Sequence, residues 1–301
     1  MFDSVSRGRD YQVMWFDRTG ARRGTVGEFS SAKFSLSPNG TRVALDNMDP
    51  QTGTMKLWTV DLNRSMSARF TPGSKEEEQS PVWSPDGTRI AFASSDALFE
   101  RSATGRAEES LLLKSDRPLL VRDWSHDGRF LLYGRFDPKT QWDLWALPMD
   151  SDNDKRPFPI VQSEFNEGDA AFSPDGKWVA YDSDESGRRE VYLQAFGKSR
   201  SPNKWPVSNG GGLHPQWRGD GKELFYLSED LAKLMAVTVT TKPNFETGVP
   251  ERLFAGRFRT GIAAQFNVTP DGQRFLITVP MTTNGSSPAT VVLNWTAALR
   301  K

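Results

Sequence analysis

Residues 166–196 read NEGDAAFSPDGKWVAYDSDESGRREVYLQAF. Asp169–Phe172 leads into Ser173-Pro174-Asp175-Gly176. Pro174 presets φ at the first central position of a turn, Asp175 can bond its own neighbouring backbone, and Gly176 adopts positive φ without a Cβ penalty. Trp178-Val179-Ala180-Tyr181 is an aromatic and β-branched run that suits a buried strand. Asp182–Arg189 is polar and broken by Gly187, so it reads as a loop. Val191-Tyr192-Leu193 with Phe196 reads as the next strand. Nothing in the stretch has helical spacing.

The turn recurs. Ser37-Pro38-Asn39-Gly40, Ser84-Pro85-Asp86-Gly87, Ser125-His126-Asp127-Gly128, Arg218-Gly219-Asp220-Gly221 and Thr269-Pro270-Asp271-Gly272 repeat its chemistry. The closing glycines lie 47, 41, 48, 45 and 51 residues apart. Each turn is followed by a strand: RVALD, RIAFAS, RFLLYG, WVAYDS, ELFYLS and RFLITV. A further strand follows in most repeats, as in KLWTVDL, DLWALPM and EVYLQAF. A period in the forties with about four short strands per unit is a propeller signature. Neighbouring blades cover both faces of each sheet, so the strands need not alternate cleanly between apolar and polar. The reading is all-β: a six-bladed β-propeller of four-stranded antiparallel blades.

On these residues the chain resembles TolB-type β-propellers. The nearest likeness is to TolB-like propeller domains at the C-terminal end of some bacterial Ser/Thr protein kinases and transcriptional regulators. The stretches that carry it are WFDRTG (15–20), residues 165–196, DGKELFYLS (220–228), LMAVTV (234–239), TPDGQRFLI (269–277) and VVLNW (291–295). His126, Asn39 and Arg218-Gly219 depart from the motif, but all lie in turns. The resemblance covers nearly the whole chain and implies a bacterial, non-catalytic sensor or scaffold module. It further implies a piece of a longer, extracytoplasmic, membrane-anchored protein. A fold of this kind hosts many functions, so the site must carry the argument.

Composition narrows the classes. The chain has 301 residues, read as one domain with a flexible tail at 1–10, and 10 Trp and 19 Phe supply its core. Lys plus Arg and Asp plus Glu are 38 each, which gives no electrostatic case for nucleic acid or an anionic membrane as partner. No long apolar run suggests a membrane helix, and FDSVSRGRD lacks the apolar core of a signal peptide. The absence of cysteine excludes disulfides and thiolate chemistry. No Gly-x-Ser-x-Gly elbow, phosphate loop, zinc spacing or kinase signature occurs in the 301 residues. No cofactor and a monomer are expected.

The ends are expected to meet. A hairpin over Gln12–Asp17 and Arg22–Val26 lacks two inner strands, and the last repeat, 264–280, has inner strands in want of partners. Sharing one blade would close the ring and remove its edges. Whether Val291–Trp295 is that blade's third strand, and whether an incomplete seventh blade exists instead, is open at this level.

Strand order places the six turns on one rim and the variable loops on the other, where binding usually sits. The inner strands line a channel. Lys33, Ser80, Val121, Asp169, His214 and Gln265 stand four residues before each turn; Ser35, Val82, Asp123, Ala171, Gln216 and Asn267 stand two before it. The candidate channel residues are Lys33, Asp123, Asp169, His214, Gln216 and Gln265, either as a small-ligand or ion site or as a solvated polar lining. On the loop rim, Glu167 or Glu185 beside Arg188 and Arg189 suggests exposed ion pairs, or a guanidinium oriented for a partner's carboxylate or phosphate. His126 reads as surface. Asp150, Asp152 and Asp154 alternate like a calcium loop but lack its glycine and distal glutamate, so a solvated acidic turn is the plainer reading. Glu76–Glu78 likewise reads as a solvated charge run. The function expected is recognition of a protein, peptide or small ligand on the loop rim and channel mouth. The alternative is a hydrolase or lyase with a channel-mouth site, metal-assisted through His214 and Asp169.

Overall fold

The computed structural model describes residues 11–29, 33–71, 76–105, 108–150, 156–197, 204–240, 246–258 and 266–281. The turns explain the repeat. At all six, the glycine N–H donates to the carbonyl of the turn's first residue at 2.8–2.9 Å, with glycine φ between +67° and +75°. The first residue's hydroxyl binds twice. In blade 4, Ser173 Oγ donates to Asp175 Oδ1 (2.7 Å) and accepts from Trp178 N (3.0 Å), tying the turn to the strand it launches. Thr269 does the same with Asp271 and Arg274 N. In blade 5, Arg218 instead forks onto Asp220 at 2.7 Å and pairs with Glu223 at 3.0 Å.

Neighbouring turns also approach one another, as between blades 1 and 2 and between blades 2 and 3. A Cβ at Gly87 would lie 3.8 Å from Pro38 Cδ, and one at Gly128 3.7 Å from Pro85 Cγ. That spacing is ordinary contact, so Gly87→Val is expected to lose about 1 kcal/mol or more through its φ of +68° alone. Unchanged urea unfolding would refute the turn geometry.

Six antiparallel sheets form the ring, and no helix occurs among the described residues. Blade 1 is Phe34–Leu36, Arg42–Met48, Met55–Asp61 and Met66–Arg69. Blade 2 is Gln79–Trp83, Arg89–Ser94, Ala97–Ser102 and Ser110–Lys114. Blade 3 is Leu119–Trp124, Phe130–Asp137, Gln141–Pro148 and Phe158–Val161. Blade 4 is Glu167–Phe172, Trp178–Ser183, Glu190–Ala195 and Lys204–Pro206. Blade 5 is Leu213–Trp217, Glu223–Leu227 and Lys233–Thr240, with Glu246–Thr247 and Glu251–Ala255 both pairing to its third strand.

Blade 6 closes the ring. Phe266–Val268 and Arg274–Pro280 are joined by Tyr11–Asp17 and then Arg22–Phe29. Tyr11–Asp17 pairs residue for residue with Pro280–Arg274. The third place is therefore taken by the N-terminal strand, and Val291–Trp295 lies outside the described residues, as does the tail 1–10. No described strand is left over for a seventh blade.

The core follows the ring. Six hydrophobic clusters sit one at each blade junction. Blade 6 shows why its strands are apolar on both sides. Val13 and Leu276 face Phe34 and Val43 of blade 1, while Met14, Phe275 and Ile277 face Phe225 and Leu234 of blade 5.

Candidate functional site

A cavity of about 230 Å³ lies where the six inner strands meet. Pro38, Pro85, His126, Gly219 and Pro270 line it at the turn rim, and Lys33, Ser80, Arg122, Asp169 and His214 line it deeper in. The deep residues reach the axis through one local device. Four inner strands carry a bulge, seen as a register shift between Gln79 and Val82, Val121 and Asp123, Glu167 and Ala170, and Leu213 and Gln216. Ser80, Arg122, Asp169 and His214 are residues of those bulges. A bulge re-aims a side chain and bends the strand. Ser80 and His214 accordingly hold φ of +56° and +55°, a conformation that costs about 1–3 kcal/mol and must be over-determined by its surroundings.

Two second-strand aspartates provide that restraint. Asp46 accepts N–H bonds from Lys33 (2.9 Å) and from Ser80 (3.2 Å) in the next blade. Asp182 accepts from Asp169 N (3.0 Å) and from His214 N (3.2 Å) in the next blade, and binds the Arg189 guanidinium. Gly168 is required here: a Cβ would collide with the Asp182 carboxylate and Arg189.

The Asp169 carboxylate is the hub. Oδ1 meets Lys33 Nζ at 3.2 Å and the Arg122 guanidinium, and Oδ2 meets His214 Nδ1. Burial alone would raise its pKa, but Lys33, Arg122 and His214 together outweigh it and hold the carboxyl well below the ordinary range. Burial pulls the Lys33 amine down, and the Asp169 charge opposes it. Asp169 is thus a fixed anion with three basic groups round it, a weak base and an acceptor already in use. The Ser80 hydroxyl, 3% exposed, makes no hydrogen bond, including none to His214. Gly134 makes room for Arg122: a Cβ there would lie 3.2 Å from Nε.

The predicted residues separate into two sets. Lys33, Asp169 and His214 converge as one cluster, and Gln216 and Asp123 line the same cavity. Asp123 is committed to structure: its Oδ2 accepts the Phe172 N–H of the next blade at 2.7 Å, as Asn267 accepts from Leu36 at 2.8 Å. Gln265 lies outside the described residues. The loop-rim set does not converge. Glu167 is fully buried, bonded by Ser163 (2.7 Å) and Ser183 (3.4 Å), with its pKa pushed up to about 7 by burial. Arg189 serves Asp182, Arg188 pairs with Glu190 at 2.9 Å, and Glu185 pairs with Lys204, so the expected pairings are replaced. The cause of the three replaced pairings is blade 4 itself, whose adjoining strands supply Asp182, Glu190 and Lys204 as partners, while Arg188 stays half exposed. Glu78 is corrected likewise: it is buried against Thr71, leaving only Glu76 and Glu77 exposed. Asp150 pairs with Arg129 at 3.2 Å, and Asp152 and Asp154 lie outside the described residues. His126 is exposed at the turn rim, with its pKa lowered by partial burial.

Arg122, Asp46 and Asp182 were missing from the predicted site. Counting four residues back from the turn selects Val121, but the bulge brings in Arg122. Its signal was a charge inside the apolar run LLVRDW. The aspartates recur at the same distance after the turn, in RVALD and WVAYD.

Burial pushes the Asp123 carboxyl up from 3.8 to about 7. A carboxyl raised on folding stabilises the fold fully below its unfolded pKa, and that stability is lost as pH rises through the folded pKa. Wild type is therefore expected to lose about 2–4 kcal/mol between pH 4 and pH 8 relative to Asp123→Asn, which keeps the acceptor for Phe172. Parallel urea-unfolding profiles for the two proteins would refute this.

Comparison with known proteins places the fold. The model superposes on a putative TolB from Agrobacterium tumefaciens with a TM-score of 0.72, at 18% identity, over 90% of this chain and 98% of that one. A puromycin-hydrolysing peptidase of Mycobacterium tuberculosis matches with a TM-score of 0.59 at 16% identity, over 83% of this chain and 44% of that one. In sequence, the uncharacterized peptidase YuxL of Bacillus subtilis (strain 168) is 27% identical over 206 residues, covering 52% of this chain. The match spans 31% of that relative's length. No family model matches the chain. The chain thus has the TolB-like six-bladed propeller fold, which peptidases also carry as part of longer chains.

Proposed function

We propose that the ring is a non-catalytic recognition module that receives a carboxylate-bearing group, from a peptide or a small molecule, at its axial channel. One observation carries this reading: Asp169 is already bound by Lys33, Arg122 and His214, while the Ser80 hydroxyl on the same cavity stays unused. A working base would need a raised pKa and a free lone pair, and a nucleophile would need a bonded base. Asp169 has its pKa lowered instead, and the Ser80 hydroxyl has no base bonded to it. Among the described residues, no three His, Cys, Asp or Glu side chains gather to hold a metal. A surplus of basic groups with a spare hydroxyl instead suits a carboxylate.

The test is calorimetric titration of the protein with a panel of small mono- and dicarboxylates, alongside assays with ester and amide substrates. Binding that is lost in Lys33→Met, without turnover, supports recognition. Turnover abolished by His214→Ala would overturn it in favour of a hydrolase.

A second reading is favoured by the YuxL match: the ring is the non-catalytic part of a longer peptidase. The encoded sequence flanking these residues decides between them. A nucleophile-bearing hydrolase segment supports the second reading, and a kinase or DNA-binding segment supports the first.

A further inference from the structure

Equivalent positions at successive blade junctions carry different chemistry, and one junction is electrically incomplete. Each junction joins a residue at the start of a third strand to the residue six before the next turn. In register, Lys56, Ala97, Asp143 and Glu190 are equivalent, each preceding the residue that pairs with Asp46, Ala93, Gly134 or Asp182. Their counterparts are Glu78, Leu119, Glu167 and Gly212.

Three of these junctions are satisfied. Between blades 1 and 2, Lys56 and Glu78 are both buried, Lys56 Nζ donating to the Glu76 carbonyl and Glu78 Oε2 accepting from the Thr71 hydroxyl and Leu57 N. Between blades 2 and 3, Ala97 and Leu119 are both apolar and buried. Between blades 4 and 5, Glu190 receives the N–H groups of Gly210 (3.1 Å) and Gly211 (2.9 Å), the Ser208 hydroxyl and Arg188. Between blades 3 and 4, two carboxylates meet where the first junction has an ammonium and a carboxylate. Asp143 is 3% exposed and Glu167 0%. Asp143 is served by the Thr140 hydroxyl on Oδ2 at 3.2 Å and by the Ser163 backbone N–H, with the Arg135 charge nearby, and Glu167 Oε1 by the Ser163 and Ser183 hydroxyls. Among the described residues neither carboxylate has an ion pair, and Arg135, opposite Asp143 in register, pairs with Asp116 at 3.0 Å. Asp143 Oδ1, Glu167 Oε2 and the Asn166 amide oxygen are all buried and without a donor.

We propose that the junction between blades 3 and 4 binds a hard divalent cation of the calcium or magnesium kind, through Asp143, Glu167 and the Asn166 amide oxygen. Buried charges need a partner, and removing or omitting it is costly. An oxygen-rich set with two carboxylates neutralises a divalent charge, and such ions take oxygen ligands of these types, completed by water. One shared proton would remove a single charge and leave the amide oxygen unserved. A cavity of about 350 Å³ at the loop rim is lined by Asn166 with Thr140, Gln141, Glu164, Asp184 and Lys139, and Asp143 and Glu167 lie beneath it rather than in its wall. In this arrangement the cation stands where Lys56 stands at the first junction.

The test uses the 301-residue protein freed of metal with a chelator, then titrated with calcium or magnesium chloride by calorimetry and thermal unfolding. The expected results are binding of about one ion per chain and a rise of several degrees in Tm at millimolar ion, since a ligand bound only to the folded state stabilises it. Asp143→Asn and Glu167→Gln are expected to lose both. Asp143→Lys copies the first junction and is expected to unfold at a Tm indifferent to the cation. If Asp143→Lys does not fold, the two amide variants decide. No heat and no shift with either ion overturns the proposal, as does binding that survives in both amide variants. Stabilisation by Asp143→Asn in a protein that binds no ion would assign the junction to a shared proton instead.

Discussion

Asp169→Ala is expected to lower folding stability by about 3–5 kcal/mol, the usual cost of deleting one partner of a buried ion pair. The substitution leaves Lys33 and Arg122, with side chains 14% and 6% exposed, as neighbouring buried cations with no shared anion. It also frees the ring of His214, whose backbone N–H, at positive φ, is bonded to Asp182. The midpoint of urea unfolding measures the loss. A change below about 1 kcal/mol would mean that the four groups are not coupled as the geometry shows.

Val13→Asp is expected to abolish cooperative folding. Val13 is fully buried in the third strand of blade 6, between Thr278 and Gly27, and it faces Phe34 and Val43 of blade 1. A carboxylate there would be buried with no cation and only the Thr278 hydroxyl as a donor among these neighbours, at a cost above about 4 kcal/mol, a large part of a typical domain's total stability. The control is Thr25→Asp on the exposed outer strand of the same blade, expected to stay within about 0.5 kcal/mol of wild type. Sharp unfolding of Val13→Asp at the wild-type denaturant concentration would contradict closure of the ring by the N-terminal strand.

The sequence made the ring legible because its turns are specified one position at a time. Ser173, Asp175 and Gly176 each perform a separate bond or dihedral, and the same residues recur at a propeller's period. Closure was legible for the same reason: two incomplete sets of strands, at either end, completed one another. The candidate site was legible only in part. Lys33, Asp169 and His214 follow from counting back along the inner strands, but the bulge in blade 3 shifts the count by one and puts Arg122 where Val121 was expected. Glu167 and Arg189 sit in a polar stretch and read as exposed. Their burial is imposed by adjoining strands and blades, which local sequence does not display. Asp46 and Asp182 repeat in the chain, but their role of holding two blades' bulges at once exists only in the assembled ring.

The ionisation of Asp169 tests the functional reading most directly. Carbon-13 NMR of protein labelled at the aspartate carboxyl carbons, with the signal assigned through Asp169→Asn, follows this group as pH is varied. The account expects a carboxylate that stays ionised across the whole neutral and mildly acidic range and titrates below an ordinary aspartate, being held by Lys33, Arg122 and His214. An Asp169 signal that titrates between pH 5 and 8, as a general base at work near neutrality does, would contradict the account and return the site to catalysis.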